Sequence, residues 1–180
     1  MRIAYGKLLL RNAEANDAAQ LAAWWNDGAV MAHAGFPRGL GTTPEKIADQ
    51  LTADSDGKRR RLMLLLEGRP IGEMSFSWLD GEKAEIGIKI CESAYRERGL
   101  GRLALSLLIG ELFIRGVSTI LLDTNTNNLR AQHVYHKLGF RVTGVRQDCW
   151  RDQLGRFQSA VDMALTQDRF VDFTKIEGAP

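Results

Sequence analysis

Apolar and polar residues alternate along much of this chain, and a period of two residues is typical of half-buried strands. In residues 82–91, Ile86, Ile88 and Ile90 would share one face of a strand, while Glu85 and Lys89 would share the other. Similar patterns, bounded by turn residues, predict further strands at residues 3–11, 61–67, 71–79, 120–122, 140–149 and 158–165.

Other segments repeat their apolar residues at helical spacing. Residues 100–115 are apolar nearly all round, which indicates a buried helix, and Gly116 provides a C-terminal stop. A second long helix is predicted at residues 128–138, directly before Gly139. Shorter helices are predicted at residues 17–26 and 44–51, and the intervening residues 29–43 are expected to form a loop with some broken helix.

The order of these elements predicts an α/β (α+β) fold with one mixed sheet. Residues 82–122 would form a strand-helix-strand unit whose two strands run parallel. No linker interrupts the pattern, so residues 1–167 are expected to form a single domain, followed by a loosely held C-terminal tail at residues 168–180.

Composition narrows the class of protein without identifying a function. The 180 residues are 44% hydrophobic and 26% charged, as in ordinary soluble domains, and a formal net charge of +2 is too small to indicate nucleic-acid binding. The N-terminal residues lack a long apolar run, so neither a signal peptide nor a membrane span is predicted. Two cysteines, Cys91 and Cys149, suggest no disulfide framework, which favours a reducing cytoplasm. No His/Cys cluster predicts a metal site.

A cluster of glycine and arginine stands at the start of the predicted 100–115 helix. Gly99 and Gly101 would let the backbone approach a ligand closely. The N–H groups of a first helical turn lack intrahelical partners and lie at the positive end of the helix dipole. Arg96, Arg98 and Arg102 add charge suited to phosphates, so the segment predicts a site for a phosphate-bearing cofactor.

Two cofactors compete for this segment. The residues from Gly99 to Ala104 also match the dinucleotide fingerprint G-x-G-x-x-A, and Asp123 follows at about the spacing of a ribose-binding carboxylate. However, the polar residues 92–98 separate the glycines from the preceding strand. Three arginines also suit a ligand with several phosphate groups better than one with a single pyrophosphate. The strands before the glycines form an antiparallel meander rather than a doubly wound sheet. A nicotinamide-dependent oxidoreductase is therefore the less favoured alternative.

Two motifs together point to a known family. Arg96-x-x-Gly99-x-Gly101 resembles the R/Q-x-x-G-x-G/A signature of the GNAT superfamily of N-acetyltransferases. The superfamily's second conserved block resembles Asn125-x-x-Asn128-x-x-Ala131-x-x-x-Tyr135-x-Lys137-x-Gly139-Phe140. The resemblance covers about residues 7–165 and is greatest to the subgroup with the ribosomal-protein N-terminal acetyltransferases. It implies a GNAT-like domain with a mostly antiparallel, twisted sheet of about seven strands and about four helices.

The resemblance implies transfer of acetyl from acetyl-CoA to a primary amine by direct attack in a ternary complex, without a metal. Such a reaction needs a base for the amine, donors for the oxyanion and an acid for the leaving thiolate. Tyr135 matches the superfamily's acid, although it could instead be a core aromatic residue. Glu85 is the candidate base, directly or through a water, with Glu73 as an alternative; Glu85 could also simply pair with Lys89.

The same resemblance assigns binding residues. Backbone groups of Ile88, Lys89 and Ile90 would line the pantetheine arm and bind the oxyanion. Backbone N–H groups of Arg98, Gly99, Leu100, Gly101 and Arg102 would hold the pyrophosphate, with charge from Arg96 and Arg102. Tyr135 would also contact the cofactor, and Asn128 could bond its arm or cap a helix. Trp24, His33 and Phe36 are candidates for the acceptor site.

Several functional alternatives stay open at this point. A catalytically silent acyl-CoA-binding or sensor module would use the same fold and the same cofactor residues. The amine acceptor is either a small molecule or a protein N-terminus. Acceptor sites are formed by loops, and a single sequence does not determine the shape of such a site. Homodimers are common in the superfamily, so the resemblance allows a homodimer, and no membrane partner is expected.

Overall fold

The computed structural model describes residues 1–80 and 82–176 and places eight strands in one sheet. The strands are β1 (Arg2–Tyr5), β2 (Leu8–Asn12), β3 (Arg59–Leu66), β4 (Arg69–Leu79), β5 (Lys83–Ile90), β6 (Thr119–Asn125), β7 (Arg141–Arg151) and β8 (Phe157–Thr166). The helices are α1 (Ala18–Asn26), α2 (Gly28–Met31), α3 (Pro44–Thr52), α4 (Leu100–Ile114) and α5 (Leu129–Leu138). No helix within the described ranges combines the length and apolar character needed to cross a membrane.

The sheet is mixed and mostly antiparallel, as the sequence predicts. Its strand order is β1-β2-β3-β4-β5-β6-β8-β7, and β5 and β6 form its parallel pair. The predicted strand at residues 3–11 is instead a hairpin, because the chain turns at Gly6 with φ of 54° and Tyr5 pairs with Leu8. The segment expected to be a loop contains the four-residue helix α2. The sheet therefore has one strand more than predicted, and the domain has one helix more.

Apolar side chains pack against both faces of the sheet. Alternate residues of β3 and β4 point to opposite faces. On one face, Leu64 and Phe76 are buried with Leu108 of α4 in the larger core, to which α5 and β6 also contribute. On the other face, Met63 is buried with Leu21 of α1 in a smaller core that also includes α3. The two helical layers thus hold the central strands between them.

Helix α4 has the buried character that its sequence predicts. Leu103, Ala104, Leu108 and Leu112 are at most 3% exposed, because they face the sheet and its neighbouring elements. Gly116 follows with φ of 91°, a left-handed conformation in which glycine avoids the steric penalty of a Cβ. The helix is therefore fixed in the core, and its first turn has a defined position above the sheet.

The parallel strands β5 and β6 separate part of the way along their length. They pair only through Lys83–Glu85 with Thr119–Leu121, although β5 continues to Ile90 and β6 to Asn125. Beyond this point the facing backbone groups of residues 86–90 and 122–125 are not paired with each other. A gap therefore opens inside the sheet, between two strands that are both anchored on their outer sides.

The C-terminal segment is held more firmly than the sequence predicts. The rings of Phe170 and Phe113 lie 5.7 Å apart, and both Phe170 and Phe173 pack against the larger core. The N–H of Val171 donates to the carbonyl oxygen of Leu138 at 3.0 Å. Residues 168–176 thus dock on the helical layer, whereas the rest of the expected tail, residues 177–180, lies outside the described residues.

Candidate active site

A cleft with a volume of about 1200 Å³ occupies the gap between β5 and β6. One side, here called the helix side, is lined by residues 95–99, 101 and 102 at the start of α4 and by the exposed face of α5. The other, here called the loop side, is lined by the polar face of β3 and β4, by Trp150 and by part of residues 28–40, here called the roof segment. Because the cleft passes between two strands of the sheet, a ligand bound in it would contact residues on both faces of the sheet.

The helix side contains the predicted anion site. Gly99 caps α4 with φ of 76°, a conformation that favours glycine. A Cβ on Gly101 would lie 3.9 Å from both Ile88 and Ile90, so the first turn of α4 packs directly over the end of β5. The free N–H groups of that turn therefore lie beside the unpaired edge of the strand. This arrangement can bind an anion whose attached chain runs along β5.

The three arginines of this segment have different contacts. Arg96 donates through Nε to the carbonyl oxygen of Ile90 at 3.0 Å and through a terminal nitrogen to that of Cys91 at 3.1 Å. Its guanidinium thus ties the loop to the end of β5 as well as lining the cleft. Arg98 lies over the ring of Tyr95 at 5.6 Å. Arg102 also lines the cleft, so the positive charge predicted from the sequence is present on the helix side.

Tyr135 lies on α5 where the cleft passes between the strands. It is 7% exposed, lines the cleft and packs against Phe140 with the ring centres 5.8 Å apart. Burial raises the pKa of Tyr135 to about 12, and the negative charge of Asp123 adds to the increase. The phenol is therefore protonated at neutral pH and able to donate a hydrogen bond into the cleft. Tyr135 is both a core aromatic residue and a cleft residue.

Three carboxyl groups line the loop side, and two of them are neutralised by cations. Glu73 is buried, and its Oε1 accepts hydrogen bonds from Trp25 at 2.8 Å and Lys89 at 2.7 Å. Asp123 pairs with Arg146 at 2.6 Å. Glu85, the last residue of β5 that pairs with β6, has no ion pair within the described part of the chain. Lys89 is therefore the partner of Glu73 and not of Glu85.

The roof segment is fastened across the sheet to the hairpin between β7 and β8. Gln153 of that hairpin donates its N–H to Gly35 at 2.8 Å and its side-chain amide to Gly39 at 3.0 Å, and it accepts from the N–H of Arg38 at 2.8 Å. The ring of Trp150 covers Gly35 so closely that a Cβ there would lie 2.3 Å from it. The roof therefore has a fixed position over the loop side.

Most of the predicted site residues lie together in the cleft, but three do not line it. Trp24 is 4% exposed in the smaller core, where its ring N–H donates to Glu92 at 2.7 Å. Leu100 belongs to the larger core, and Phe36 lies in the roof segment outside the cleft lining. The side chain of Asn128 caps α5 by accepting from the N–H of Ala131 at 3.2 Å. Those that line the cleft are Glu85, Ile88, Lys89, Ile90, Arg96, Arg98, Gly99, Gly101, Arg102, Asn128, Tyr135 and His33.

Sequence reasoning misses several residues of the loop side. Ser75 and Ser77 alternate with buried Met74 and Phe76 on β4, so the period of two could have placed them beside Glu73. Trp150 carries no such signal, because its position depends on a contact with the distant roof segment. No group of three or more His, Cys, Asp or Glu side chains in residues 1–80 and 82–176 is arranged to hold a metal ion.

These features define a class of protein: a domain whose split sheet encloses a cleft beside a helix start that is suited to an anion. The family model for the acetyltransferase (GNAT) domain matches residues 7–141, and the chain belongs to this family. This confirms the family that the two sequence motifs indicate.

Relatives and solved structures agree with this membership. The chain is 28% identical over 118 residues to the [ribosomal protein bS18]-alanine N-acetyltransferase of Escherichia coli K12, covering 66% of this chain and 79% of the relative. The fold is similar to that of spermidine N-acetyltransferase from Vibrio cholerae in complex with CoA and spermine (TM-score 0.80, 21% identity, 91% of this chain and 97% of that chain). It is also similar to the ribosomal-protein-S5-alanine acetyltransferase from Vibrio fischeri (TM-score 0.81, 16% identity, 95% and 99%).

The fixed roof leads to a prediction about two nearby glycines. Gly39 and Gly41 have φ of 76° and 65°, so alanine would cause similar backbone strain at both, about 1–2 kcal/mol. A Cβ on Gly39 would lie 2.1 Å from the carbonyl oxygen of Asn26, whereas a Cβ on Gly41 would meet open space. In denaturant titrations, Gly39→Ala should therefore lower the free energy of unfolding by ~1–3 kcal/mol more than Gly41→Ala does. Equal losses for Gly39→Ala and Gly41→Ala would contradict this packing.

Proposed function

We propose that the protein transfers an acetyl group from acetyl-CoA to a primary amine by direct attack of the amine on the thioester. The observation that supports this most is the cleft itself. It brings a protonated phenol, a carboxylate without an ion pair and an anion-binding helix start into one gap between β5 and β6. These groups correspond to the acid, the base and the cofactor site that acetyl transfer needs.

The helix side suits acetyl-CoA. Its pyrophosphate would bind the backbone N–H groups of residues 98–101, with the side chain of Arg102 adding charge, since the N–H of Arg102 donates to the carbonyl oxygen of Gly99 at 3.1 Å. The pantetheine arm would then lie along the unpaired edge of β5 at Ile88–Ile90, where peptide groups can pair with its amides. This path leads the thioester from the start of α4 toward Tyr135 and Glu85.

The reaction can be written with every proton placed. Glu85 takes a proton from the ammonium group, directly or through a water, and the nitrogen attacks the thioester carbonyl. Backbone N–H groups of residues 88–90 stabilise the oxyanion. Glu85 releases this first proton to solvent. When the oxyanion collapses, the nitrogen loses its second proton to Glu85, the C–S bond breaks, and Tyr135 donates its hydrogen bond, and then its proton, to the departing sulfur. Glu85 again passes its proton to solvent. Solvent returns a proton to Tyr135, and the products are the acetylated amine and CoA.

The raised pKa of Tyr135 limits how this acid works. Its value of about 12 lies above the reference pKa of roughly 8.5 for a thiol, so transfer of the proton to a free thiolate is uphill. Sulfur gains negative charge as the C–S bond breaks, so the hydrogen bond from Tyr135 strengthens toward the transition state. The proton itself passes only after the bond is broken, when solvent can restore the phenol. We assign Tyr135 to stabilisation of the leaving group in the transition state.

Glu85 is preferred over Glu73 as the base. Oε1 of Glu73 accepts hydrogen bonds from Trp25 and Lys89, and Lys89 forms an ion pair with it. Glu73 therefore holds Trp25 and Lys89 in place. Direct attack is further supported by Cys91, since burial and the charge of Glu73 raise the pKa of its thiol to about 12, which makes it a poor nucleophile for an acetyl-enzyme route.

The loop side supports an acceptor with one amine in preference to a polyamine. A polyamine requires several free carboxylates, whereas Glu73 and Asp123 are already paired with cations. Arg59 and Arg61 also line this side and would repel additional positive charge. An amino terminus of a polypeptide, as in the ribosomal-protein relatives, meets these conditions better than spermidine does.

Cofactor binding and turnover test the proposal directly. Acetyl-CoA and CoA, each at a hundredfold excess over its dissociation constant, should stabilise the fold by about 2.7 kcal/mol, and NADH should not. Under the same conditions, release of thiol from acetyl-CoA should depend on an added amine or N-terminal peptide. Stabilisation by NADH alone would overturn the proposal. Binding of CoA without turnover of any amine would identify a silent acyl-CoA-binding module instead.

Tyr135→Phe should lower kcat by about a hundredfold, because the phenyl ring keeps the packing but cannot donate to sulfur. The dissociation constant of CoA should change little. Tyr5→Phe, on the outer strand β1, is the matched control and should leave both quantities unchanged. Steady-state kinetics and calorimetry provide the measurements, and a normal kcat for Tyr135→Phe would remove this residue from the mechanism.

Glu85→Gln should make turnover depend on prior loss of the proton from the amine. The ratio of wild-type to variant kcat/KM should be greatest at low pH and should fall as pH rises toward the pKa of the amine. Glu73→Gln is the comparison, and it should lower activity by a factor that does not depend on pH in this way. If Glu73→Gln shows the pH-dependent ratio and Glu85→Gln does not, the two roles are exchanged.

A further inference from the structure

The C-terminal residues 170–173, here called the clasp, are fastened to the helical layer at separate points. Phe170 packs against Phe113 of α4, and the N–H of Val171 donates to the carbonyl of Leu138. The N–H of Phe173 donates to Oγ of Ser106 at 3.1 Å, and Ser106 is only 1% exposed. The backbone of Phe173 is therefore fixed one turn beyond the start of α4.

Phe173, the last residue of the clasp, contacts Arg102 in the first turn of α4. The guanidinium carbon of Arg102 lies 4.1 Å from the ring centre of Phe173. Its Nε is buried, and within the described part of the chain this nitrogen has no hydrogen-bond acceptor. Arg102 also lines the cleft on its helix side. It thus differs from Arg96, whose guanidinium donates to two backbone carbonyls.

A stacked arginine keeps its hydrogen-bond donors available. The ring attracts the face of the guanidinium, while the N–H groups point outward in its plane and can meet phosphate oxygens. An arginine held in this way loses less conformational freedom on binding than one that moves freely, so affinity rises without a new contact. Within the described part of the chain no protein acceptor holds the buried Nε, so the ring of Phe173 is the contact that orients this guanidinium.

We propose that Phe173 is a positioning residue that sets the affinity for the cofactor's phosphates by holding the guanidinium of Arg102 over the start of α4. This inference rests on the proposed function only in taking CoA as the cofactor. Phe173 touches the arginine and not the reacting atoms, so its effect belongs to cofactor binding and not to the chemical step.

A double-mutant cycle on the full chain tests the coupling. Titration calorimetry with CoA should give dissociation constants about five- to tenfold higher for Phe173→Ala and for Arg102→Gln, a loss in the range of a partly desolvated cation–π contact. The double variant should bind no more weakly than Arg102→Gln alone, because Phe173 acts through Arg102. The kcat at saturating acetyl-CoA and the KM for the amine should stay at wild-type values in Phe173→Ala.

Three comparisons separate positioning from general loss of structure. Phe170→Leu disturbs the same clasp away from Arg102, so it should lower the melting temperature and leave CoA binding intact. Phe173→Tyr keeps a ring over the guanidinium and should retain affinity. Acetyl-pantetheine lacks the cofactor's pyrophosphate, and its kcat/KM should be equal for wild type and Phe173→Ala.

Other results would overturn the inference. An unchanged dissociation constant for Phe173→Ala, additive losses in the double variant, or an equal loss of CoA binding in Phe170→Leu would each show that Phe173 does not act through Arg102. These outcomes leave the proposed function standing, because wild-type CoA binding and amine turnover are measured separately. Absence of CoA binding in the wild type would overturn both.

Discussion

The separation of β5 from β6 after Glu85 and Leu121 is the constraint on which the site depends. Both strands are held on their outer sides, by β4 and β8, and their inner edges diverge. Unpaired peptide groups inside a sheet are costly unless they find partners. The same gap weakens the ladder and creates the cleft, so we expect these groups to find their partners in a ligand that enters the sheet.

The start of α4 is placed by the same gap. Leu103, Ala104 and Leu108 anchor the helix in the larger core, and Gly101 in its first turn lies close to Ile88 and Ile90. Because the buried apolar residues fix the helix, its N–H groups and dipole are directed at one place beside β5. We therefore expect the backbone part of an anion site here to follow from core packing, with Arg102 adding charge beside it.

Elements that depend on local periodicity could be predicted from the sequence. The alternation around Ile86 and Ile88 defined β5, the apolar run defined α4, and the two motifs located most of the helix side of the cleft. The exceptions have local causes too: the left-handed Gly6 splits one strand into two, and four residues of an expected loop form α2.

Contacts between distant segments could not be predicted in the same way. Lys89 follows Glu85 by four residues on one face of β5, a distance of roughly 13 Å along a strand, whereas directly opposed residues of neighbouring strands lie about 5 Å apart. The register therefore pairs Lys89 with Glu73. The position of Trp150 over Gly35 likewise depends on how the β7–β8 hairpin meets the roof segment, and no pattern within either segment encodes it.

The residues after the family match complete the cleft from both sides. The GNAT family model ends at residue 141, yet the following residues supply Trp150 and Gln153 on the loop side and Phe173 on the helix side. The matched part contains β5, β6, the first turn of α4 and Tyr135, which are the parts to which the proposed acetyl transfer assigns the chemistry. We therefore expect acceptor choice to depend on the contact between the hairpin and the roof, and cofactor affinity to depend on Phe173 through its contact with Arg102. In this arrangement chemistry and selectivity reside in different parts of the chain, so either can change while the core that holds β5, β6 and α4 stays the same.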